Sequence, residues 1–177
     1  MYQQILLAVA LQHGDEFSPH AVAAREAAVA LAKGAGARLS VLSVYDYDDE
    51  TPGALSLSSE DLARDRDTQM ICMDERMATK MQAFLAGVLT HEPPITPLLK
   101  VGDPRQLIVA TAEALGVDLV VIGAQSKHRL LDVLVGGTAT AVSRHAPCAV
   151  VMVQPGEQRP LGQTSEVGTL LQATLPG

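Results

Sequence analysis

The segment from Gly123 to Ala139, with the sequence GAQSKHRLLDVLVGGTA, has glycine near both ends and lies between two short apolar runs. Small residues let successive backbone N–H groups converge on one anion, and the N-terminus of a following helix favours negative charge there. Gly123, Gly136 and Gly137 supply these small residues. The side chains in this segment that could donate to an anion are Ser126, Lys127, His128, Arg129 and Thr138. The segment is therefore predicted to bind phosphate, although the basic residues could instead form a solvated loop and Thr138 could simply begin a helix.

Patterns for catalysis and metal binding do not occur in the sequence. The five histidines have no metal-ligand spacing, and G-x-S-x-G, G-x4-G-K-[S/T] and G-x-G-x-x-G are absent. The acidic run Asp46, Asp48, Asp49 and Glu50 could hold a cation through carboxylate oxygens, but we favour a solvated loop. We therefore expect no catalytic residue, no metal site and no enzyme activity.

The composition indicates one acidic globular domain. The chain has 177 residues, 47% of them hydrophobic, and a formal net charge of −7. No basic cluster is longer than Lys127-His128-Arg129, so the surface that nucleic acid requires is missing. No apolar run approaches the roughly 20 residues that cross a bilayer, and residues 1–4 lack the basic start of a signal peptide. We expect a cytoplasmic protein with no nucleic-acid partner and no membrane span, in which Cys72 and Cys148 are small buried hydrophobic residues.

Apolar runs alternate with helix-forming segments along the chain. Five short runs are typical of buried strands: Ile5–Ala10, Leu39–Val44, Ile95–Val101, Asp118–Ile122 and Ala149–Val153. The shorter helices are expected from Ser18-Pro19 to Gly34, from Gly102-Asp103-Pro104 to Gly116, and over Thr138–His145. This alternation predicts an α/β fold with right-handed crossovers, in which one parallel sheet carries helices on both faces.

Three features place other segments relative to this sheet. Pro97 cannot donate to a strand ladder, so its strand is expected at a sheet edge. Ser58 begins a long helix within an insert of about residues 52–90. In it Met70, Met73, Met77, Met81, Phe84 and Val88 recur every three or four residues, and we expect this methionine stripe to be covered by the sheet or by another subunit. Residues 155–177 are expected to form a mobile tail, with a short docking helix around Leu170 as the alternative.

The order of these segments resembles the universal stress protein family. The resemblance lies in ILLAVA at residues 5–10, VGDP at 101–104, ALGVDLVVIG at 114–123 and GGTATAVSRHAPCAVVMV at 136–153, of which RHAPC is the most specific. It covers about residues 3–154 and implies a Rossmann-like, adenine nucleotide alpha hydrolase-like sheet of five strands in the order 3-2-1-4-5. It also implies a homodimer, commonly through the last strand, here Ala149–Val153.

Family members that bind ATP resemble G-x2-G-x9-G-[S/T] after strand four, and they carry an aspartate at the end of strand one. Gly123 and Gly136 match the first and third glycines, and Val44 matches in type the residue whose backbone would face the adenine. Three positions depart from the pattern: Ser126 replaces the second glycine, Gly137 the hydroxyl residue and Ala10 the aspartate. The last two departures each remove a contact worth about 1.5–3 kcal/mol, so weak ATP affinity is expected.

The resemblance leaves three functions open. The first is a regulatory dimer that responds to an adenine nucleotide such as ATP, AMP or a cyclic dinucleotide. The second is a dimeric interaction module that binds no nucleotide, and the third is a regulatory domain of a larger transporter or kinase. Tyr45 and Tyr47, just past strand two, are expected either to stack on an adenine or to pack on the insert.

Overall fold

The computed structural model describes residues 2–11, 16–47, 59–88, 94–123 and 137–155. The elements within them are, in chain order, β1 (Gln4–Val9), α1 (Pro19–Ala35), β2 (Arg38–Tyr45), α2 (Ser59–Leu85), β3 (Thr96–Val101), α3 (Pro104–Leu115), β4 (Leu119–Gly123), α4 (Gly137–His145) and β5 (Ala149–Val153). The strands form one parallel sheet in the order β3-β2-β1-β4-β5. The predicted fold class and strand order are confirmed, and Pro97 lies on the edge strand β3 as expected.

Local capping explains where the shorter helices begin and end. The Ser18 hydroxyl accepts a hydrogen bond from the Ala21 N–H at 3.2 Å, and the Asp103 carboxylate accepts one from the Arg105 N–H at 2.8 Å. At the other end of α1, the predicted stop at Gly34 is wrong. The helix continues to Ala35, and Gly36 adopts a left-handed φ of 63°, a conformation that glycine reaches without steric cost.

The central strands of the sheet, β1, β2 and β4, are buried on both faces. On one face α1 and α2 cover residues such as Ile5, Leu7 and Val41. On the other face α3 and α4 cover residues such as Leu6, Leu42 and Val120. Because every second residue of a strand faces the same side, the continuous apolar runs fill both layers.

The methionine stripe is part of the first layer. Met77 and Phe84 are fully buried, and Met73 and Met81 are also buried, while Met70 is only half-buried. Arg25 of α1 contacts the C-terminal end of α2 in two ways. Its Nη1 donates a hydrogen bond to the Phe84 carbonyl, and its guanidinium lies 5.0 Å from the centre of the Phe84 ring. The expectation that the sheet layer covers this stripe is confirmed for these four buried positions.

The two cysteines are less buried than the sequence suggested. Cys72 is exposed and Cys148 is half-buried. Cys72 directly precedes the buried Met73 on α2, and one residue along a helix is a rotation of about 100°, which turns Cys72 away from the packed stripe. The prediction that both are buried hydrophobic residues is therefore wrong.

Two other expectations concern the ends of the domain and membranes. The tail lies almost wholly outside the described residues, as does the first part of the insert. Among the helices in the described parts of the chain, none has the length and apolar character that a membrane crossing demands.

Candidate functional site

A cavity of about 700 Å³ lies at the carboxyl ends of β1, β2 and β4. The strand ends form the floor of the cavity, and the first turns of α1, α3 and α4 form its sides. In the sheet, β1 has β2 as its neighbour on one side and β4 as its neighbour on the other, so the strand order reverses direction at β1. Open α/β sheets hold their ligands at this kind of switch point, beyond the carboxyl ends of the strands.

The described residues that the sequence assigned to the site all line this cavity. They are Ala10, Val44, Gly123, Gly137 and Thr138. Ala10 is exposed to the cavity at the end of β1 and presents only a methyl group there. Ser126, Lys127, His128 and Gly136, together with Arg129, lie outside the described residues.

Gly123 is required by close packing. A Cβ atom at this position would lie 2.9 Å from the carbonyl oxygen of His20 and 3.1 Å from its carbonyl carbon. These are backbone atoms in the first turn of α1, so they cannot rotate away. The glycine therefore lets α1 begin directly against the end of β4, which sets one wall of the cavity.

Gly137 has a different environment, at the first residue of α4. A Cβ atom there would lie 3.4 Å from Nη2 of Arg105 and 3.9 Å from its Cζ, which is ordinary contact distance. The guanidinium of Arg105 therefore lies beside the N-terminus of α4. The unpaired N–H groups of a helix start and a neighbouring cation both favour an anion.

Arg105 and His20 are cavity residues that the sequence analysis missed. Each is the second residue of its helix: Arg105 follows Pro104 at the start of α3, and His20 follows Pro19 at the start of α1. The helix starts were recognised from their cap and proline, and in a parallel sheet these starts share one edge with the strand ends. The residue that follows each helix-starting proline is therefore expected near the site, and this was the signal in the sequence that could have identified Arg105 and His20.

The cavity also contains acidic groups. Asp46 follows β2 and Asp103 precedes α3, and both line it. Asp103 is engaged in capping, since its carboxylate accepts the Arg105 N–H. The described part of the cavity is thus of mixed charge, with the cation Arg105 placed next to α4.

Tyr45 and Tyr47 pack on the insert rather than standing as an exposed aromatic platform. Both hydroxyls donate to the same oxygen of Asp74 on α2, Tyr45 at 2.6 Å and Tyr47 at 2.8 Å, and the two rings meet edge to face. Burial, followed by the hydrogen bond to Asp74, raises the pKa of Tyr45 well above its ordinary value. The hydrogen bond to Asp74 also raises the pKa of Tyr47. Tyr45 is one of the residues that line the cavity, and its hydroxyl is hydrogen-bonded to α2.

Within the described residues, no three histidine, cysteine or acidic side chains are arranged so that they could hold a metal ion. Asp48, Asp49 and Glu50 of the acidic run lie outside the described residues.

Comparison with known proteins places this geometry in a family. Residues 1–154 match the family model of the Universal stress protein family. A Staphylococcus haemolyticus protein named for the same family is 29% identical over 166 residues, which cover 88% of this chain and 87% of that protein. The solved structure of universal stress protein UspA from Lactobacillus plantarum is 28% identical with a TM-score of 0.57, covering 86% of this chain and 97% of its own. A crystal structure of a universal stress protein in complex with cAMP has a TM-score of 0.52 at 19% identity and covers 88% of this chain and 99% of its own.

Proposed function

This chain belongs to the universal stress protein family, and we propose that it is a regulatory module that binds an adenine nucleotide in the cavity at the ends of β1, β2 and β4. The observation that carries the proposal is the convergence of Gly123, Gly137 and Thr138 on a cavity large enough for a nucleotide. A family relative of the same fold is known in complex with cAMP, which supports a nucleotide as the ligand class.

The affinity for ATP is weak in this proposal. Ala10 offers no carboxylate at the end of β1, and Gly137 offers no hydroxyl at the start of α4. Two such contacts, each worth about 1.5–3 kcal/mol, correspond to roughly two to four powers of ten in affinity. The ligand would therefore be either an abundant nucleotide, such as ATP or AMP, or one that uses other contacts, such as a cyclic nucleotide.

Assembly, location and lack of catalysis form part of the same proposal. The protein acts as a cytoplasmic homodimer that pairs through β5 and binds the nucleotide without turning it over. The edge strand supports this mode of pairing, because Val151 and Met152 are 38% and 42% exposed on a strand that, among the described residues, pairs with β4 alone. Incubation with ATP followed by nucleotide chromatography tests the last point, and sustained release of ADP would contradict it.

Calorimetric titration with ATP, ADP, AMP, cAMP and adenosine tests the nucleotide proposal. We expect measurable binding that is lost in Ala10→Trp, which fills the cavity, and retained in Ala83→Trp, a matched change on the exposed side of α2. No binding of any of the five probes by the native protein would overturn the proposal. Equal binding by the two tryptophan variants would place the nucleotide somewhere else.

A dimeric interaction module that binds no nucleotide is the second candidate. The departures at Ala10 and Gly137 favour it, together with the exposed apolar edge of β5. Native mass spectrometry separates the two candidates, because a nucleotide carried through a gentle purification supports the first. A ligand-free dimer that also ignores added nucleotides supports the second.

A further inference from the structure

The guanidinium of Arg105 lies beside the first residue of α4. A Cβ atom on Gly137 would lie 3.4 Å from Nη2, which is ordinary contact distance. A cation from α3 therefore lies next to the position where the family pattern has a hydroxyl and this chain has Gly137.

We infer that Arg105 holds the phosphate of the bound nucleotide, in place of the hydroxyl that Gly137 lacks, and that the site therefore selects phosphate-bearing adenine nucleotides over adenosine. This inference rests on the proposed function, since it names the ligand feature that the same cavity recognises. The missing hydroxyl at Gly137 and the guanidinium of Arg105 lie at the same place, the start of α4.

The placement of Arg105 suits this role. Its backbone N–H is fixed by the Asp103 carboxylate at 2.8 Å, so the residue starts from a capped and ordered helix turn. Arg105 lines the cavity, and no other residue in the described part of the chain forms an ion pair with its guanidinium. The side chain is exposed, so an anion in the cavity can reach it.

The chemistry of the guanidinium favours phosphate. Its planar fork can donate two parallel N–H bonds to two oxygens of one phosphate, whereas a lysine ammonium acts as a point charge. Hydrogen bonds to a charged group contribute enough to change affinity by about tenfold to a hundredfold. Arg105 therefore offsets the loss at Gly137, and the missing carboxylate at Ala10 remains as the reason for weakened ATP binding. Adenosine carries no phosphate and should not sense Arg105.

Calorimetry at constant ionic strength with adenosine, AMP and ATP tests the inference on Arg105→Gln. We expect AMP and ATP to bind about tenfold to a hundredfold more weakly and adenosine to bind as before, with Arg105→Lys intermediate. Arg144→Gln is the matched control, because it makes the same charge change at the exposed far end of α4 and should leave all three affinities unchanged.

A double-mutant comparison tests the link to Gly137. In the native background Gly137→Ser should bring little gain in AMP affinity, since Arg105 already donates to the phosphate that the new hydroxyl would reach. In the Arg105→Ala background the same serine should recover about tenfold, because its hydroxyl can reach the anion. Equal effects of serine in both backgrounds would refute the idea that Arg105 takes the place of the hydroxyl.

The outcomes separate the inference from the proposed function. If native protein binds AMP and Arg105→Gln binds it equally well, Arg105 does not hold the phosphate and only the inference is overturned. The inference is also overturned if adenosine and AMP lose affinity to the same extent, because Arg105 would then merely support the cavity. If native protein binds none of the three probes, the proposed function fails first and the inference falls with it.

Discussion

Replacement of Gly123 by alanine tests whether the start of α1 is packed against β4 as closely as the structure shows. The new Cβ would lie 2.9 Å from the His20 carbonyl oxygen, which is about 0.5 Å short of ordinary contact at 3.4 Å. Since the opposing atoms belong to a helix backbone, relief requires movement of the first turn of α1.

That movement is resisted along the whole helix. Ala24, Ala28 and Ala32 form the buried side of α1 and are fully buried, so the helix lies very near the sheet. Forcing extra volume into such packing costs about 1–3 kcal/mol. For a domain of this size the loss corresponds to a decrease in melting temperature of roughly 2–12 °C.

Two glycines at the C-terminal end of α1, Gly34 within the helix and Gly36 at its cap, provide controls of known sign. Gly34 has nothing within 4 Å of its Cβ position and lies within the helix, so Gly34→Ala should raise stability by about 0.5–1 kcal/mol. Gly36 has a φ of 63°, and Gly36→Ala should cost about 1–2 kcal/mol because the left-handed conformation disfavours a side chain.

Thermal and urea unfolding of the three variants form the assay. The reasoning would be refuted if Gly123→Ala unfolded like the native protein while Gly34→Ala and Gly36→Ala shifted in the expected directions. That result would mean that α1 starts farther from β4 than the structure places it.

Three further predictions address other parts of the molecule. Ala10→Asp should tighten the binding of both adenosine and ATP by about tenfold in calorimetry, and a gain for neither would show that the nucleoside does not lie near the end of β1. Backbone N–H groups of Gln3 and Gln4 lower the pKa of Asp118 below its ordinary 3.8, so its stabilising effect is complete above that value and is lost as pH falls through the lowered pKa. The stability difference between native protein and Asp118→Asn should therefore shrink in acid, and a difference constant from neutral pH to about pH 2 would contradict this. Met152→Lys should weaken a β5-mediated dimer in sedimentation, whereas Ile71→Lys, on the exposed side of α2, should not, and a monomeric native protein at micromolar concentration would remove the premise.

The fold was accessible from sequence because its signals are local. Apolar runs, a cap followed by proline, and glycine after a helix each act within a few residues, and Pro97 identified an edge strand by its missing donor. These signals located all five strands and the starts of α1 and α3. The stop at Gly34 failed because two glycines lie near the end of α1, and only the backbone conformation shows which one caps it.

The site was accessible in part, for a related reason. Among the described residues, those assigned to the site from the family pattern line the cavity. Such a motif occupies the same position in the fold in each family member, so its residues could be placed from sequence. Arg105 and His20 reach the cavity only because three helix starts converge, and convergence depends on strand order and crossover side rather than on neighbours in the chain. The exposure of Cys72 and the contact of Tyr45 with Asp74 depend on how α2 is rotated about its own axis relative to the sheet. The spacing of the apolar residues did not determine the surroundings of α2 residues outside the methionine stripe.

The contact between Tyr45 and Asp74 determines how the cavity and α2 can influence each other. Tyr45 contributes to the cavity wall, and its hydroxyl, like that of Tyr47, is bound to one carboxylate oxygen of α2. The pKa of each tyrosine is raised, so the stability that these bonds provide is fully present below the ordinary value of 10.0 and is lost only as pH rises beyond it. Proton uptake or release by the tyrosines therefore cannot switch this connection at physiological pH. A ligand effect that reaches α2 by this route must be mechanical, through displacement of the end of β2, because the tyrosines stay neutral and bonded throughout that range.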